Sequence, residues 1–286
     1  MTAPAPPVSL THSIADLRTR VRAFHGEGAR VGLVPTMGAL HAGHLSLVEA
    51  LRPLAERVVV TIFVNPAQFG PTEDFSRYPR TLPSDLEKLA SVGADLVFAP
   101  AVEEMYPGAF CTTVACEGPA KAGLEDAFRP THFTGVATIV AKLLNQAQAD
   151  VAIFGEKDFQ QLLVIRAMAR DLDIPTQILS GATLREADGL AMSSRNIYLS
   201  PRERAIAPAL YRELSRAAMR VAQGEALDSV MGDARAAVTQ AGFVIDYLEA
   251  RCAQSLAPVA RREGGPLRLL AAARLGETRL IDNVAV

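Results

Sequence analysis

Five apolar runs of strand length, none broken by polar alternation, constrain this chain more than any other feature. They are RVGLV (30–34), RVVVTIFV (57–64), ADLVFAP (94–100), DVAIF (150–154) and TQILS (176–180). A strand with one wet face alternates polar and apolar residues, whereas a continuous run suits a strand covered on both faces, as in a parallel sheet. Helical patterns fill the intervals. Ser13 and Asp16 form a capping pair for a helix over 14–25, with Leu17, Val21 and Phe24 on one face and Gly26 as stop. Further helices are expected from about Gly43 or His44 through Leu51, over LPSDLEKLASVG with Ser84 as cap and Gly93 as stop, over 133–148 and over 159–172. Strands alternating with helices predict an α/β fold built on a doubly wound parallel sheet.

After about residue 183 the rhythm changes. SPRERAIAPALYRELSRAAMRVAQG reads as one long amphipathic helix capped by Ser200, with Pro201 at its first position. A second helix follows over LDSVMGDARAAVTQAG. Then come three strand-like runs, FVIDYLEAR, LRLLAAARL and TRLIDNVAV, the last two joined by a short turn around Gly276. The pattern predicts a smaller α+β domain over 184–286, following a sheet domain over 1–183.

Several function classes are disfavoured early. The formal net charge of −2 over 286 residues leaves no basic footprint for nucleic acid. No apolar stretch approaches the roughly 18 residues of a membrane span, and MTAPAPPVSLTHS lacks the basic and apolar regions of a secretory signal. Cys111, Cys116 and Cys252 make three cysteines without a CxxC pair, so a disulfide framework is not expected and a reducing cytoplasm fits best.

The chemistry concentrates first in PTMGALHAGH (35–44), directly behind the first long apolar run. A strand, a glycine-bearing turn and a helix together make the phosphate site of α/β sheets, because the helix N-terminus presents free N–H groups and a partial positive charge. Gly38 and Gly43 would let backbone approach a ligand closely. His41 and His44 stand at i and i+3 and would share a helical face. Two imidazoles aimed at phosphate can donate to charge that develops as pyrophosphate leaves. A zinc site lacks a third ligand at recognisable spacing, and HExxH, GxGxxG and GxxxxGK[ST] are all missing.

HAGH after a first strand resembles the HxGH signature of adenylyl-transferring nucleotidyltransferases, and the longer string VPTMGALHAGHLSLV resembles the pantothenate synthetase (pantoate–β-alanine ligase) family. The resemblance runs from about residue 9 to the terminal TRLIDNVAV; the Ala/Pro-rich first eight residues lie outside it and are expected to be disordered. It implies a Rossmann-like nucleotide- and pantoate-binding domain carrying a lid domain. It also implies ATP contacts along Met37, Gly38, Ala39, Leu40, His41, Ala42, Gly43 and His44. In FVNPAQFGPTEDFSRYPRT (63–81) it makes Gln68 a ligand of both pantoate and β-alanine, a role that suits an amide able to donate and accept. In FGEKDFQQ (154–161) it places ATP against Gly155, Glu156, Lys157 and Asp158, and pantoate against Gln161. In READGLAMSSRN (185–196) it assigns Met192, Ser193, Ser194 and Arg195 to the ATP phosphates, where hydroxyls and a guanidinium fork are apt. Leu184 falls where the family contacts adenine through backbone. RPTHFTGV (129–136) also matches, without a role for Arg129 or His132.

The implied reaction condenses pantoate with β-alanine through a pantoyl adenylate, at the expense of ATP. His44 leads the catalysis, with His41, Lys157 and Arg195 sharing the charge. Mg²⁺ is expected to arrive with ATP, since no dedicated carboxylate cage is legible. The resemblance also implies a homodimer. Two other classes stay open: another HxGH enzyme such as a mononucleotide adenylyltransferase or an aminoacyl-tRNA synthetase-like ligase, and a nucleotide-binding module without turnover.

Overall fold

The computed structural model of the chain describes residues 8–71, 73–261 and 265–286. The disorder expected of the first eight residues falls outside these for residues 1–7, whereas Val8 packs against apolar side chains of the sheet.

The five apolar runs form β2 (Val31–Thr36), β3 (Arg57–Ile62), β4 (Leu96–Phe98), β5 (Val151–Gly155) and β6 (Gln177–Gly181), preceded by β1 (Ser9–Thr11). All pair in parallel, in the order β1-β4-β3-β2-β5-β6. The edge strand β1 escapes sequence reading because three residues carry no period. Between the strands lie α1 (Ile14–Gly26), α2 (Ala42–Leu51), α3 (Leu82–Ser91), the single turns α4 (Val102–Met105) and α5 (Glu125–Phe128), then α6 (His132–Ala147) and α7 (Phe159–Asp171).

Side chains on successive strand positions point to opposite faces, and here both faces are buried. Leu33, Val59, Leu96, Phe98 and Phe154 join one apolar cluster with Leu17, Val21, Val136 and Leu162. Val34, Val58, Val60, Val97 and Ile153 join another with Leu47, Leu51 and Leu89. Burial on both faces is why these strands read as unbroken apolar runs.

Two helix boundaries differ from expectation. Thr81, not Ser84, precedes α3, because Pro83 sits comfortably in a first turn and draws the helix start ahead of the serine. The long helix expected over 200–224 is two, α8 (Pro201–Ile206) and α9 (Ala209–Ala222). Pro208 separates them, having no N–H to continue the ladder. Ser200 does cap α8, in a reciprocal box with Glu203.

The remaining elements are α10 (Leu227–Gln240) and the antiparallel sheet β7 (Val244–Cys252), β8 (Leu267–Leu275) and β9 (Thr278–Ala285), in that order. This smaller sheet is also covered twice. Leu269, Ala271 and Ala273 of β8 face α9 and α10 through Leu214, Val221 and Val238. The alternate residues Leu270 and Ala272 belong instead to the core of the large sheet. The smaller sheet is therefore wedged between its own helices and the first lobe, which explains the apolar continuity of LRLLAAARL.

Candidate active site

The strand order reverses between β2 and β5: the chain moves outward from β2 through β3 to β4, then starts again beside β2 with β5 and β6. Carboxyl ends of strands at such a switch point leave a crevice, since the two following turns diverge to opposite sides. The turn after β2 is the histidine stretch, and the turn after β5 carries Lys157. A cavity of about 230 Å³ lies there.

The histidines build the start of α2. His41 is the N-cap, its Nδ1 accepting from Gly43 N–H at 3.2 Å, while His44 Nδ1 accepts from His41 N–H at 3.3 Å. This is a capping box in which two imidazoles replace the usual hydroxyl and carboxylate. Because both Nδ1 atoms accept, the hydrogen-bond network assigns the proton of each neutral ring to Nε2. The rings lie with centroids 4.0 Å apart. Burial, reinforced by Lys157 and Lys88, lowers the pKa of His41 to about 4. Burial, then His41 and the same two lysines, lowers that of His44 to about 3. With these values the pair is neutral at pH 7 and offers two N–H donors.

A carboxylate that sequence reading missed shapes the turn before α2. Buried Asp85 accepts from Ala39 N–H at 3.0 Å and Leu40 N–H at 2.8 Å, and Lys88 Nζ donates to Leu40 O at 2.8 Å. Both backbone φ values there are positive, +81° at Gly38 and 49° at Ala39, so the carboxylate holds a conformation that the local sequence disfavours. Nothing in YPRTLPSDL distinguishes this aspartate from an ordinary first-turn acid.

Asn65 organises the second wall from the 3₁₀ turn Pro66–Gln68. Its amide donates to Gln68 Oε1 at 3.1 Å and Gly135 O at 3.2 Å, and its oxygen accepts from Tyr106 OH at 2.7 Å. Gln68 Nε2 in turn reaches Met37 Sδ at 3.2 Å. His132 Nδ1 donates to Gln68 O at 3.0 Å and Arg129 donates to the same carbonyl at 3.3 Å, with Arg129 forked on Glu73. These contacts give Arg129 and His132 the task that sequence reading could not: they hold the backbone of Gln68.

The third wall comes from the linker between the sheets. Ser193 caps the 3₁₀ turn Ser194–Tyr198 by accepting from Arg195 N–H at 3.2 Å. Ser194 Oγ is 2.9 Å from Tyr78 OH, and the Arg195 guanidinium is bidentate on Asp74, with both contacts at 2.9 Å. Ser194 and Arg195 of the MSSR loop are therefore engaged with Tyr78 and Asp74 on the facing loop.

Of the residues expected at the site, Met37, His41, Gly43, His44, Gln68, Gly155, Lys157, Asp158, Gln161, Leu184, Met192, Ser193, Ser194 and Arg195 line this cavity. Gly38, Ala39, Leu40 and Ala42 are not among its lining residues, and Glu156 pairs instead with Arg268 at 2.9 Å. A larger cavity of about 760 Å³ shares Arg129, Lys157, Asp158, Ser193 and Arg195 with the first, so the two adjoin. Chemically, this is a cleft with two imidazole N–H donors and a helix N-terminus on one side, Lys157 on another and amide groups on a third. Such a set can hold an anionic chain and place a neutral or acidic small molecule beside it.

Comparison with known proteins identifies the family. The pantoate-beta-alanine ligase family profile matches residues 9–285. The chain is 55% identical to pantothenate synthetase 2 of Bradyrhizobium diazoefficiens, covering 97% of this chain and 98% of that one. It is 54% identical to the pantothenate synthetase of Rhodopseudomonas palustris strain BisA53, with the same coverage. The crystal structure of pantothenate synthetase from Thermus thermophilus superposes with a TM-score of 0.92 at 46% identity, covering 97% of this chain and 99% of that one. A Francisella tularensis pantoate-beta-alanine ligase, complexed with beta-gamma ATP and beta-alanine, gives 0.81 at 30% identity over 97% of each chain. With a matching profile over nearly its whole length and the same fold throughout, the chain belongs to the pantoate–β-alanine ligase family and is an enzyme that joins pantoate to β-alanine.

Proposed function

We propose that this ligase uses ATP to activate pantoate as an acyl adenylate in the cleft at the β2/β5 switch point. A pantoate carboxylate oxygen attacks the α-phosphorus, the new P–O bond forms in line, and the bond to the bridging oxygen breaks to release pyrophosphate. The amine of β-alanine then attacks the acyl carbon; the C–N bond forms, the C–O bond to AMP breaks, and the amine sheds a proton. The observation that carries this reading is the convergence of His41, His44, Lys157 and the Met192–Arg195 loop on one cavity that also presents Gln68 and Gln161.

The first step needs positioning and charge neutralisation rather than a protein nucleophile. The His44 and His41 N–H groups would donate to phosphate oxygens, joined by Lys157 and, once released from Asp74, by Arg195. A bound triphosphate would favour protonation of the rings, because an adjacent opposite charge raises an imidazole pKa. Ser193, Ser194, Met192, Gly155, Asp158 and the backbone of Leu184 would complete the nucleotide site; Gln68 and Gln161 would hold pantoate, with Gln68 also steering the amine. The turn 38–40, Ala42 and Glu156 would shape that site from behind. Mg²⁺ would travel with the triphosphate, which suits a cation that keeps most of its waters. Asp158, a carboxylate among the residues lining that cavity, would be the group to approach it.

We also place the lobe boundary at residues 183/184 and read 184–286 as a lid, in a cytoplasmic homodimer. The clasp between the 70–80 loop and the MSSR loop supports a mouth that opens and shuts at this junction. The test is pyrophosphate release from ATP. It should depend on pantoate and not on β-alanine, and His44→Ala should slow it by about 10²–10³-fold, the usual effect of losing one such donor. Release that requires β-alanine, or a wild-type rate in the variant, refutes the scheme.

A further inference from the structure

Lys157 lies in the middle of the 3₁₀ turn Glu156–Asp158, and among the described residues its ammonium pairs with one carboxylate, that of Asp158, at 3.9 Å. What fixes the turn comes from the other lobe. Asn283 of β9 is buried, and its amide nitrogen donates to both Glu156 O and Lys157 O at 2.9 Å. Its oxygen accepts from Arg268 Nε at 2.6 Å, which orients the amide so that both hydrogens face the turn. Arg268 also pairs with Glu156 at 2.9 Å and lies over the Phe159 ring at 4.1 Å. The neighbouring Asp282 reaches elsewhere, taking the fork of Arg185 in the inter-sheet linker at 2.7 and 2.8 Å. One strand dipeptide therefore grips both the linker and the lysine turn, since consecutive strand residues project to opposite faces.

We propose that Asn283 is a positioning residue for Lys157: by bonding both carbonyls of the turn, it aims the ammonium into the cleft only while the smaller sheet is docked. The inference rests on the reading of Lys157 as a phosphate-binding group. It adds that this group's aim is set by the second lobe rather than by the sheet that carries it. Asn283 touches no reacting atom.

The isosteric Asn283→Asp variant replaces the amide NH2 with a carboxylate oxygen facing two carbonyls, and Asn283→Ser withdraws both amide N–H donors, leaving a shorter hydroxyl, without adding charge. Both are compared with the intact protein for binding of ATP and of adenosine by calorimetry, alongside a thermal melt. The expected result is ATP affinity weakened roughly tenfold, the scale of leaving buried acceptors unmet, with adenosine affinity unchanged. Where the aspartate variant melts below the assay temperature, the serine variant decides. In a Lys157→Ala background, adding Asn283→Ser should weaken ATP binding no further. Equal loss of ATP and adenosine affinity, no loss of either, or an additive loss in the double variant overturns the proposal. Should Lys157→Ala alone leave ATP affinity intact, it is the phosphate role of Lys157 that has failed.

Discussion

Gly135 in α6 tests how tightly the core of this enzyme specifies its site. The helix crosses the Pro66–Gln68 turn so closely that a Cβ at position 135 would lie 2.2 Å from Ala67 O, 2.5 Å from Ala67 C and 2.7 Å from Gln68 N. Real Cβ atoms stay beyond 3.0 Å, so Gly135→Ala must move that backbone by roughly 1 Å, and backbone held by Asn65, Arg129 and His132 moves reluctantly. Overpacking of this kind costs about 1–3 kcal/mol. The gain of alanine over glycine in a helix returns about 1 kcal/mol. The net loss should be near 1 kcal/mol, or roughly 2–4 °C in Tm for a chain of this size. The catalytic effect should exceed the thermal one, because a displacement of about 1 Å at a positioned group can cost on the order of 10²-fold in rate. Steady-state kinetics should show the loss in kcat/KM for pantoate and β-alanine, with KM for ATP little changed. Gly232 in α10 supplies the control: nothing lies within 4 Å of its would-be Cβ, so Gly232→Ala should stabilise by about 0.5–1 kcal/mol and leave turnover alone. A Gly135→Ala enzyme as stable and active as its parent would mean that the Gln68 turn is not held where the contacts place it.

The buried histidines predict an acid-side loss of stability. Burial lowers His41, His44 and His132 to about 4, 3 and 4 from an ordinary 6.5, so the unfolded chain takes up protons that the native one refuses. Their contribution is complete above pH 6.5 and declines as pH falls from there toward 4, at up to about 1.4 kcal/mol per pH unit for each ring. Urea midpoints should be lower at pH 5.5 than at 7.5; a higher midpoint at 5.5 would contradict the neutral assignment. This window opens well above that of Glu125, which Arg279 holds down to about 2 against its burial and which matters only below 4.5. At the cavity mouth, Asp74→Asn should free the Arg195 fork from a competing carboxylate and tighten ATP binding by roughly threefold to tenfold, the worth of a charge-assisted hydrogen bond less its replacement. Weaker ATP binding, measured by titration calorimetry, would show that Asp74 serves the nucleotide rather than competing with it.

The side chains expected to meet ligand were legible partly from local chemistry and partly through the family resemblance. The histidine turn behind a buried strand carries a local signature, whereas the lysine at a second strand end and the MSSR loop are singled out by resemblance, and all three line one cavity. The groups that hold them were not legible. Asp85, Asn65, Tyr78, Asp74 and Asn283 sit in ordinary local contexts, and their partners are distant in sequence: Asp85 acts on residues 39 and 40, and Asn283 on residues 156 and 157.

By itself the sequence determined the layers, since a strand covered on both faces must be apolar throughout and that constraint is written residue by residue. It also determined which turns carry charge and imidazole. Only the tertiary structure decided the protonation of the histidines, the anchoring of Lys157 by β9 and the clasp of Arg195 on Asp74. Those depend on burial and on hydrogen bonds between segments far apart along the chain, which no local pattern encodes.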